Sequence, residues 1–368
     1  MGKKWNKMKN ILLLYPDMLF YKVPIFNKLS DFLEHRGYNL IIWYRHISDP
    51  NNECSFNFID GIPMNLTNYS RVLKEKKIDA VINILFKSDP GYLFYTASVL
   101  RTKALNIPII FYGHGIDKQK DQMWRNIMYN LTYFSFDGII LYSPAEKSKL
   151  WKRFHHKITF ANNTLDMQQM NIQETKKQLK TRYKINSSRI ILTTGRLQGR
   201  KKIEVLSEIF INEYKNSPDV GWVIVGPDLS DDLKSSIKGI KNIYYLGPVY
   251  EKLKMAEIFS MADLYCVPGA LGLGIIEAFF WGLPVLTMDV NHGPEAFYLR
   301  NGSNSLIAKD SKELKQMISD LLFDDKKRVA FSTNARKVFR EEATLDKMFD
   351  GFSLQLNRFF NESTGTKH

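Results

Sequence analysis

Residues 264–287 read Leu264-Tyr-Cys-Val-Pro-Gly-Ala-Leu-Gly-Leu-Gly-Ile-Ile-Glu-Ala-Phe-Phe-Trp-Gly-Leu-Pro-Val-Leu-Thr287. The apolar run Leu264–Val267 is a strand candidate without alternation. Gly269, Gly272 and Gly274 follow it, and then a helix-length apolar run that closes at Gly282 before Pro284. A second continuous strand candidate, Pro284–Thr287, comes next. Strand, glycine-rich turn, helix and strand make a parallel βαβ unit, in which both sheet faces are covered by helices. Backbone amides at the start of such a helix form a ready anion site. Glu277 lies about one turn into it, among Ile275, Ile276, Ala278, Phe279, Phe280 and Trp281. A carboxylate in such surroundings is costly unless it is paired or hydrogen-bonded.

The same alternation extends in both directions. Strand candidates in the first half are Ile11–Tyr15, Leu40–Tyr44, Ala80–Leu85, Pro108–Tyr112, Gly138–Tyr142 and Ile158–Ala161, with helical patterns at Val23–Glu34 and Ala145–Phe154. The second half offers Ile190–Thr194, Trp222–Val225, Ile243–Leu246, Leu264–Val267 and Pro284–Thr287, connected by helical stretches such as Ile203–Tyr214 and Lys252–Met261. Two halves of this kind predict an α/β protein of two Rossmann-like domains facing a central cleft, with ligand at the carboxyl ends of the strands. The polar stretch Asp166–Lys184 is the best linker.

A second constellation, Thr193-Thr-Gly-Arg-Leu-Gln-Gly-Arg-Lys-Lys202, leads from a strand into a helix. Gly195 permits a tight turn there, and Arg196 and Lys201 bracket the loop. Two cations at the end of a strand can hold a diphosphate and offset charge that grows on it as a leaving group. Taken alone, a basic strand–helix loop is ordinary. Glu277 likewise has two readings: an acceptor for ribose hydroxyls of a nucleotide, or a structural ion-pair member.

Composition narrows the classes. The chain has 368 residues, 44% of them hydrophobic and 24% charged, with 52 Lys and Arg against 38 Asp and Glu and a net charge of +14. These are globular proportions. Cys54 and Cys266 stand far apart, which excludes a disulfide scaffold or a multi-cysteine metal site and suits a reducing cytosol. No stretch free of Asp, Glu, Lys and Arg exceeds 13 residues, short of the roughly 20 that span a bilayer. Lys3, Lys4, Lys7 and Lys9 precede Ile11–Tyr15 in the manner of a signal peptide, but Pro16 and Asp17 interrupt the run and no small-residue cleavage site follows. We read a basic lead-in to a buried first strand. Residues 1–170 carry 23 Lys and Arg against 14 Asp and Glu, a net of +9, with a basic-aromatic run at Trp151–Lys157. Such a surface attracts phosphates or anionic lipid. No nucleic-acid motif accompanies the charge, so no nucleic-acid partner is expected.

In order, these pieces resemble glycosyltransferase family 4, the retaining, nucleotide-sugar-dependent transferases of the GT-B fold. The resemblance rests on Gly195-Arg-Leu with Lys201, Trp222-Val-Ile-Val-Gly226, Leu246-Gly-Pro-Val249, Ala262-Asp-Leu, Leu271-Gly-Leu, Ile276-Glu277-Ala, Gly282-Leu-Pro-Val, Gly293-Pro-Glu295 and Asn301-Gly. The first half matches more loosely, through Gly113-His-Gly115, Asp137 with Ser143, and Asn163-Thr-Leu-Asp166. It implies an acceptor domain over residues 1–170, a donor domain over 171–345, and a C-terminal helix within 346–368 that packs back on the first domain. It also implies that Arg196 and Lys201 hold the donor diphosphate beside Gly195, and Glu277 the ribose. The amides of Leu271, Gly272 and Leu273 would meet phosphate and sugar, the loop at Gly247 and Val249 the base, and His114 the sugar near the reacting carbon.

Two departures stand out. The family places a first glutamate eight residues before Glu277, where this chain has Gly269; Glu295 is the candidate to compensate. The first strand–helix loop, Tyr15–Pro24, lacks the glycines often found there. With no Asp-X-Asp motif in the chain, no obligatory metal and no cofactor are expected. The expected donor is UDP- or GDP-linked, and the acceptor a glycan or polyprenyl-linked glycan. The resemblance and the basic first half also imply a cytoplasmic protein, peripheral on the anionic inner face of a membrane, in bacterial surface polysaccharide synthesis (capsule, O-antigen or lipopolysaccharide). The alternatives are a GT-B sugar phosphorylase, a nucleotide-sugar epimerase, or a catalytically weak nucleotide-sugar-binding subunit.

Overall fold

The computed structural model describes residues 8–47, 53–84, 92–116 and 123–360. The chain divides into two compact units: residues through Asp166 together with Leu345 onward, and Met167–Thr344. Among the described residues no helix is long and apolar enough to cross a membrane. Lys3, Lys4, Trp5, Lys7, Leu85 and the tail after Phe360 lie outside the described residues.

The N-terminal unit is built on seven parallel strands, β1 Lys9–Met18, β2 Tyr38–Ile47, β3 Asn57–Ile59, β4 Ala80–Asn83, β5 Ile109–Gly113, β6 Gly138–Leu141 and β7 Ile158–Phe160, in spatial order β3-β2-β1-β4-β5-β6-β7. The C-terminal unit has six: β8 Arg189–Thr194, β9 Val220–Val225, β10 Ile243–Tyr245, β11 Leu264–Cys266, β12 Val285–Met288 and β13 Ser305–Ala308. Their order, β10-β9-β8-β11-β12-β13, is the 3-2-1-4-5-6 Rossmann arrangement. The expected pair of Rossmann-like α/β domains is present. Central strands are buried on both faces, as their unbroken apolar runs require; β9 and β5 are buried throughout.

β1 does not end at Pro16. It pairs with β4 only through Leu14 but with β2 as far as Met18. Pro16 therefore lies where the strand has a neighbour on one side only, so its missing N–H removes no ladder bond on the vacant side. Leu12–Leu14 and Ile11 are fully buried, as the lead-in reading requires.

The helix expected over Ala145–Phe154 is corrected to two 3-10 turns, Pro144–Lys149 and Lys152–Lys157. Leu150 and Trp151 between them are extended, and the Trp151 amide donates to Asn130 Oδ1 at 2.8 Å instead of to a preceding carbonyl. Part of the expected linker is also ordered. Thr175 and Gln178 form a capping box for the helix Lys176–Arg182, whose Leu179 is buried and whose Lys176 pairs with Asp263 at 2.6 Å. The helix Leu345–Phe360 belongs to the N-terminal unit, where Met348, Phe349, Phe352 and Leu356 join the core of β1, β2 and the helix Val23–Glu34.

Candidate functional site

In the C-terminal unit the strand order reverses between β8 and β11, so their carboxyl ends diverge and leave a crevice between the loops that follow. Both sequence constellations fall there. The β8 loop runs from Gly195 through a 3-10 turn, Gly199–Lys201, into the helix Ile203–Glu213; the β11 loop runs from Val267 to the helix Gly274–Trp281. The strand ends are locked by side chains within the sheet. Thr193 Oγ1 donates to Cys266 O at 2.6 Å and accepts from Trp222 Nε1 at 3.0 Å, while the Thr194 and Tyr265 hydroxyls meet at 3.2 Å.

Gly195, Gly226 and Gly247 stack at the ends of β8, β9 and β10. The Gly195 amide donates to Val225 O at 3.1 Å and the Gly226 amide to Gly247 O at 2.9 Å. A Cβ on Gly226 would lie 1.8 Å from Gly195 O. Only glycine fits at that approach. Val249, two residues past Gly247, is partly exposed.

Arg196 is exposed and makes no hydrogen bond or ion pair among the described residues. Lys201 is the opposite case, a buried lysine 8% exposed. Burial, then repulsion from Arg200, pulls its ammonium down to about 8 against the attraction of Glu295. Its Nζ has no hydrogen-bond acceptor among the described residues. An ammonium held out of water without an acceptor is a strong site for an anion. Glu277, in the first turn of the helix Gly274–Trp281, is also without a hydrogen bond or ion pair among the described residues, and desolvation raises its carboxyl to about 7. Two cations on the β8 loop and one carboxyl in the first turn of the helix after β11 thus make no hydrogen bond or ion pair among the described residues.

The β11 loop is held against the β8 loop backbone to backbone. Gly269 N–H donates to Lys201 O and Ala270 N–H to Arg200 O, both at 2.8 Å. A Cβ on Gly269 would stand 2.2 Å from Arg200 O and 2.4 Å from the Lys201 carbonyl carbon. A side chain at this position, such as the glutamate the resemblance would place there, would therefore meet the backbone of the β8 loop. Glu295, in the turn Pro294–Tyr298, is buried, and its Oε2 is 4.0 Å from the Cβ position of Gly272. Its charge also acts on Lys201.

His292 is a site residue the sequence reading missed. Its Nδ1 accepts the Leu271 amide at 3.1 Å while its Nε2 faces Met288 O at 3.0 Å, and Gly293 N–H donates to Leu271 O at 3.0 Å. This requires the Nε2–H tautomer. The Leu271 amide, expected to meet ligand, is therefore engaged within the protein, and the amides of Gly272 and Leu273 have no acceptor among the described residues. No local signal identifies His292; the bond spans 21 residues of sequence.

His114 belongs to the N-terminal unit, just past β5. Its side chain is 46% exposed, its ring lies edge-on to Tyr142 at 4.6 Å, and Nδ1 is 3.6 Å from Oε1 of the buried Glu146. The hydroxyl of Tyr133 donates to Gly115 O behind it. Among the described residues no cluster of three or more His, Cys, Asp or Glu could hold a metal ion.

Residues 188–324 match the family model described as Glycosyl transferases group 1, so the C-terminal unit carries the signature of that group. A phosphatidyl-myo-inositol mannosyltransferase of Mycobacterium leprae (strain TN) is 32% identical over 145 residues, 37% of this chain and 37% of that protein. The chain thus matches little more than a third of that relative's length. Over nearly the whole chain, the fold is similar to a glycosyltransferase from Rickettsia africae ESF-5, with a TM-score of 0.75, 17% identity and coverage of 97% of this chain and 100% of that one. It is also similar to HepE of Anabaena in complex with UDP, with a TM-score of 0.72, 14% identity and coverage of 95% and 100%. The protein has the GT-B fold.

Proposed function

We propose that the protein is a retaining glycosyltransferase of the family 4 type, moving a sugar from a UDP- or GDP-linked donor to a glycan or polyprenyl-linked acceptor in bacterial surface polysaccharide synthesis. The observation that carries this reading is the pair of uncommitted cations, Arg196 and Lys201, opposite an uncommitted carboxylate, Glu277, at the strand switch point. The group 1 family match over the same residues and the UDP held by the Anabaena protein support it.

In this reading Arg196 and Lys201 face the donor diphosphate, the Gly272 and Leu273 amides donate to it, and Glu277 accepts ribose hydroxyls. The base rests against the Gly247–Val249 loop. As the glycosidic bond breaks, the electron pair moves onto the diphosphate while positive charge develops on the sugar carbon. Cations and amides fixed beforehand stabilise that leaving group more than they stabilise the donor, which is what lowers the barrier. By the family resemblance His114 would reach the sugar near the reacting carbon, and the acceptor hydroxyl attacks from the face the diphosphate leaves, its proton passing to the departing diphosphate. The two cations carry the charge of the diphosphate without an obligatory metal.

A screen of nucleoside diphosphates and nucleotide sugars by thermal shift, followed by donor hydrolysis, tests the reading. A ligand at 100 times its dissociation constant adds about 2.7 kcal/mol, a rise of about 5–10 °C for a unit of this size. No stabilisation by any nucleotide, with no donor hydrolysed, would overturn it.

A further inference from the structure

Helices on the outside of an α/β unit normally turn apolar residues inward and polar ones to water. The helix Met123–Thr132 of the N-terminal unit does the reverse along one stripe. Trp124, Met128 and Leu131, at i, i+4 and i+7, are 74%, 54% and 47% exposed, beside Met123 at 71%. Its polar Asn130 is turned inward, where Nδ2 donates to Asn126 O at 2.9 Å and Oδ1 accepts from the Trp151 amide at 2.8 Å. That second bond joins the helix to the turn carrying Trp151. Exposed Phe134 continues the apolar surface, its ring 6.3 Å from that of Trp151, and the Arg153 guanidinium sits over Phe134 at 4.6 Å.

The surroundings are basic. Residues 123–157 contain six Lys and Arg against two acids, Asp137 and Glu146. Glu146 is buried and Asp137 pairs with Lys103 at 2.6 Å, so neither acid offsets the exposed Lys152 and Arg153.

We propose that this face is an interfacial docking surface for a bilayer bearing anionic headgroups. Trp124, Met128, Leu131 and Phe134 enter the boundary between headgroups and acyl chains, and Lys152 and Arg153 meet lipid phosphates. Exposed tryptophan beside cations matches the two environments of that boundary. A second copy of the chain is the less favourable occupant, because it would bring two rims of the same charge together. The proposal deepens the functional reading by naming where a membrane-borne acceptor is met. It is tested without donor or acceptor, so its failure leaves the chemistry standing, and failure of the chemistry leaves it standing.

The test is sedimentation of the full chain with phosphatidylcholine vesicles and with mixed phosphatidylcholine–phosphatidylglycerol vesicles. Binding is expected to the mixed vesicles only, and to weaken at least tenfold as salt rises and the Debye length falls from roughly 10 Å at 0.1 M to 3 Å at 1 M. Trp124→Ser with Met128→Ser should reduce partitioning about tenfold or more, and so should Lys152→Glu with Arg153→Glu. Circular dichroism and melting temperature of each variant check folding. Quenching of tryptophan fluorescence by brominated lipid, compared between unmodified protein and Trp124→Phe, places the helix independently of those pairs. The proposal is overturned by absence of binding to mixed vesicles, by unchanged partitioning of the Trp124/Met128 pair, by quenching identical in the two proteins, or by a dimer that this pair dissociates.

Discussion

Lys201 and Glu277 are each held in a state that disfavours their own charge, and that sets two expectations. Lysine ordinarily titrates near 10.5; here the ammonium falls to about 8. A bound diphosphate favours the protonated form, so binding takes up a proton once the pH passes 8. Affinity for the nucleoside diphosphate should therefore weaken about tenfold for each pH unit above that point. Calorimetric titration from pH 7 to 9.5 reads it, and Lys201→Ala should bind weakly and lose the alkaline limb. Because the leaving group's charge grows during reaction, Lys201→Ala should lower kcat and kcat/KM together, by roughly 2.7–4 kcal/mol of transition-state stabilisation. Near-normal turnover of the folded variant would remove Lys201 from its role. Glu277 has the opposite sign. Its folded carboxyl is raised from 4.5 to about 7, so the folded state binds more protons than the unfolded one between those values. Stability contributed by the protonated form is complete below pH 4.5 and is lost as pH rises through 7. Glu277→Gln removes the buried charge and should raise stability at pH 8 by on the order of 1 kcal/mol after solvent screening, or about 2–4 °C. The same change should weaken nucleotide binding, since an amide accepts ribose hydroxyls less well than a carboxylate. A structural ion-pair role would give the reverse pattern: a lower melting temperature and unchanged affinity.

At the scale of the elements, the two switch-point loops are held in register by backbone contacts. Gly269→Ala pushes a methyl against the Arg200 and Lys201 carbonyls. Overpacking of this kind costs about 1–3 kcal/mol, and nucleotide affinity should fall with it because Lys201 rides on the displaced strand of backbone. A melting temperature unchanged in Gly269→Ala would show that the loops separate freely. His292 fixes the other side of the β11 loop by accepting the Leu271 amide. His292→Ala should weaken nucleotide binding about 2- to 12-fold, the worth of one hydrogen bond, while His292→Asn, whose Oδ1 can also accept, should recover part of the loss. Equal affinity in all three proteins would reduce His292 to packing. These contacts also mark where sequence reading stops. Continuous apolar strands and glycine turns are local patterns, so the two Rossmann-like sheets were legible from residue types in order, and the same patterns put Arg196 and Lys201 on the loop after β8 and Glu277 in the helix after β11, where the structure has them. The strands β3 and β13 were not legible, because β3 offers only two apolar residues in a row and β13 only three, too short a run to stand out. The Gly269–Arg200 and Leu271–His292 contacts join residues 69 and 21 positions apart, and nothing local encodes them. The Ala145–Phe154 pattern misled because a side chain, Asn130, captured the Trp151 amide.

In sequence the C-terminal unit is inserted within the N-terminal one, and each unit has a hydrophobic core of its own. The C-terminal unit, Met167–Thr344, is continuous in sequence; the N-terminal unit is completed only when the chain returns with Leu345–Phe360. That helix places Met348, Phe349, Phe352 and Leu356 in the N-terminal core. Thr159 Oγ1 donates to Gln355 Oε1 at 3.2 Å, and the Tyr38 hydroxyl to Asn357 Oδ1 at 2.7 Å. Burying four such apolar side chains is worth roughly 6–12 kcal/mol, comparable with the 5–15 kcal/mol that holds an ordinary domain together. A chain stopped after Thr344 should therefore lose the N-terminal unit outright. The C-terminal unit holds the β8 and β11 loops, Lys201, Glu277, Glu295 and His292 within itself. The truncated protein is expected to lose the part of the melting curve that belongs to the N-terminal unit, with its residues through Asp166 digested rapidly by limited proteolysis. It should still bind the nucleoside diphosphate within about threefold of the full chain, since 0.65 kcal/mol separates a threefold change at this temperature. Loss of nucleotide binding with a folded C-terminal unit would place essential nucleotide contacts outside Met167–Thr344. Survival of a protease-resistant N-terminal unit would show that the returning helix is an accessory to that core and not part of it.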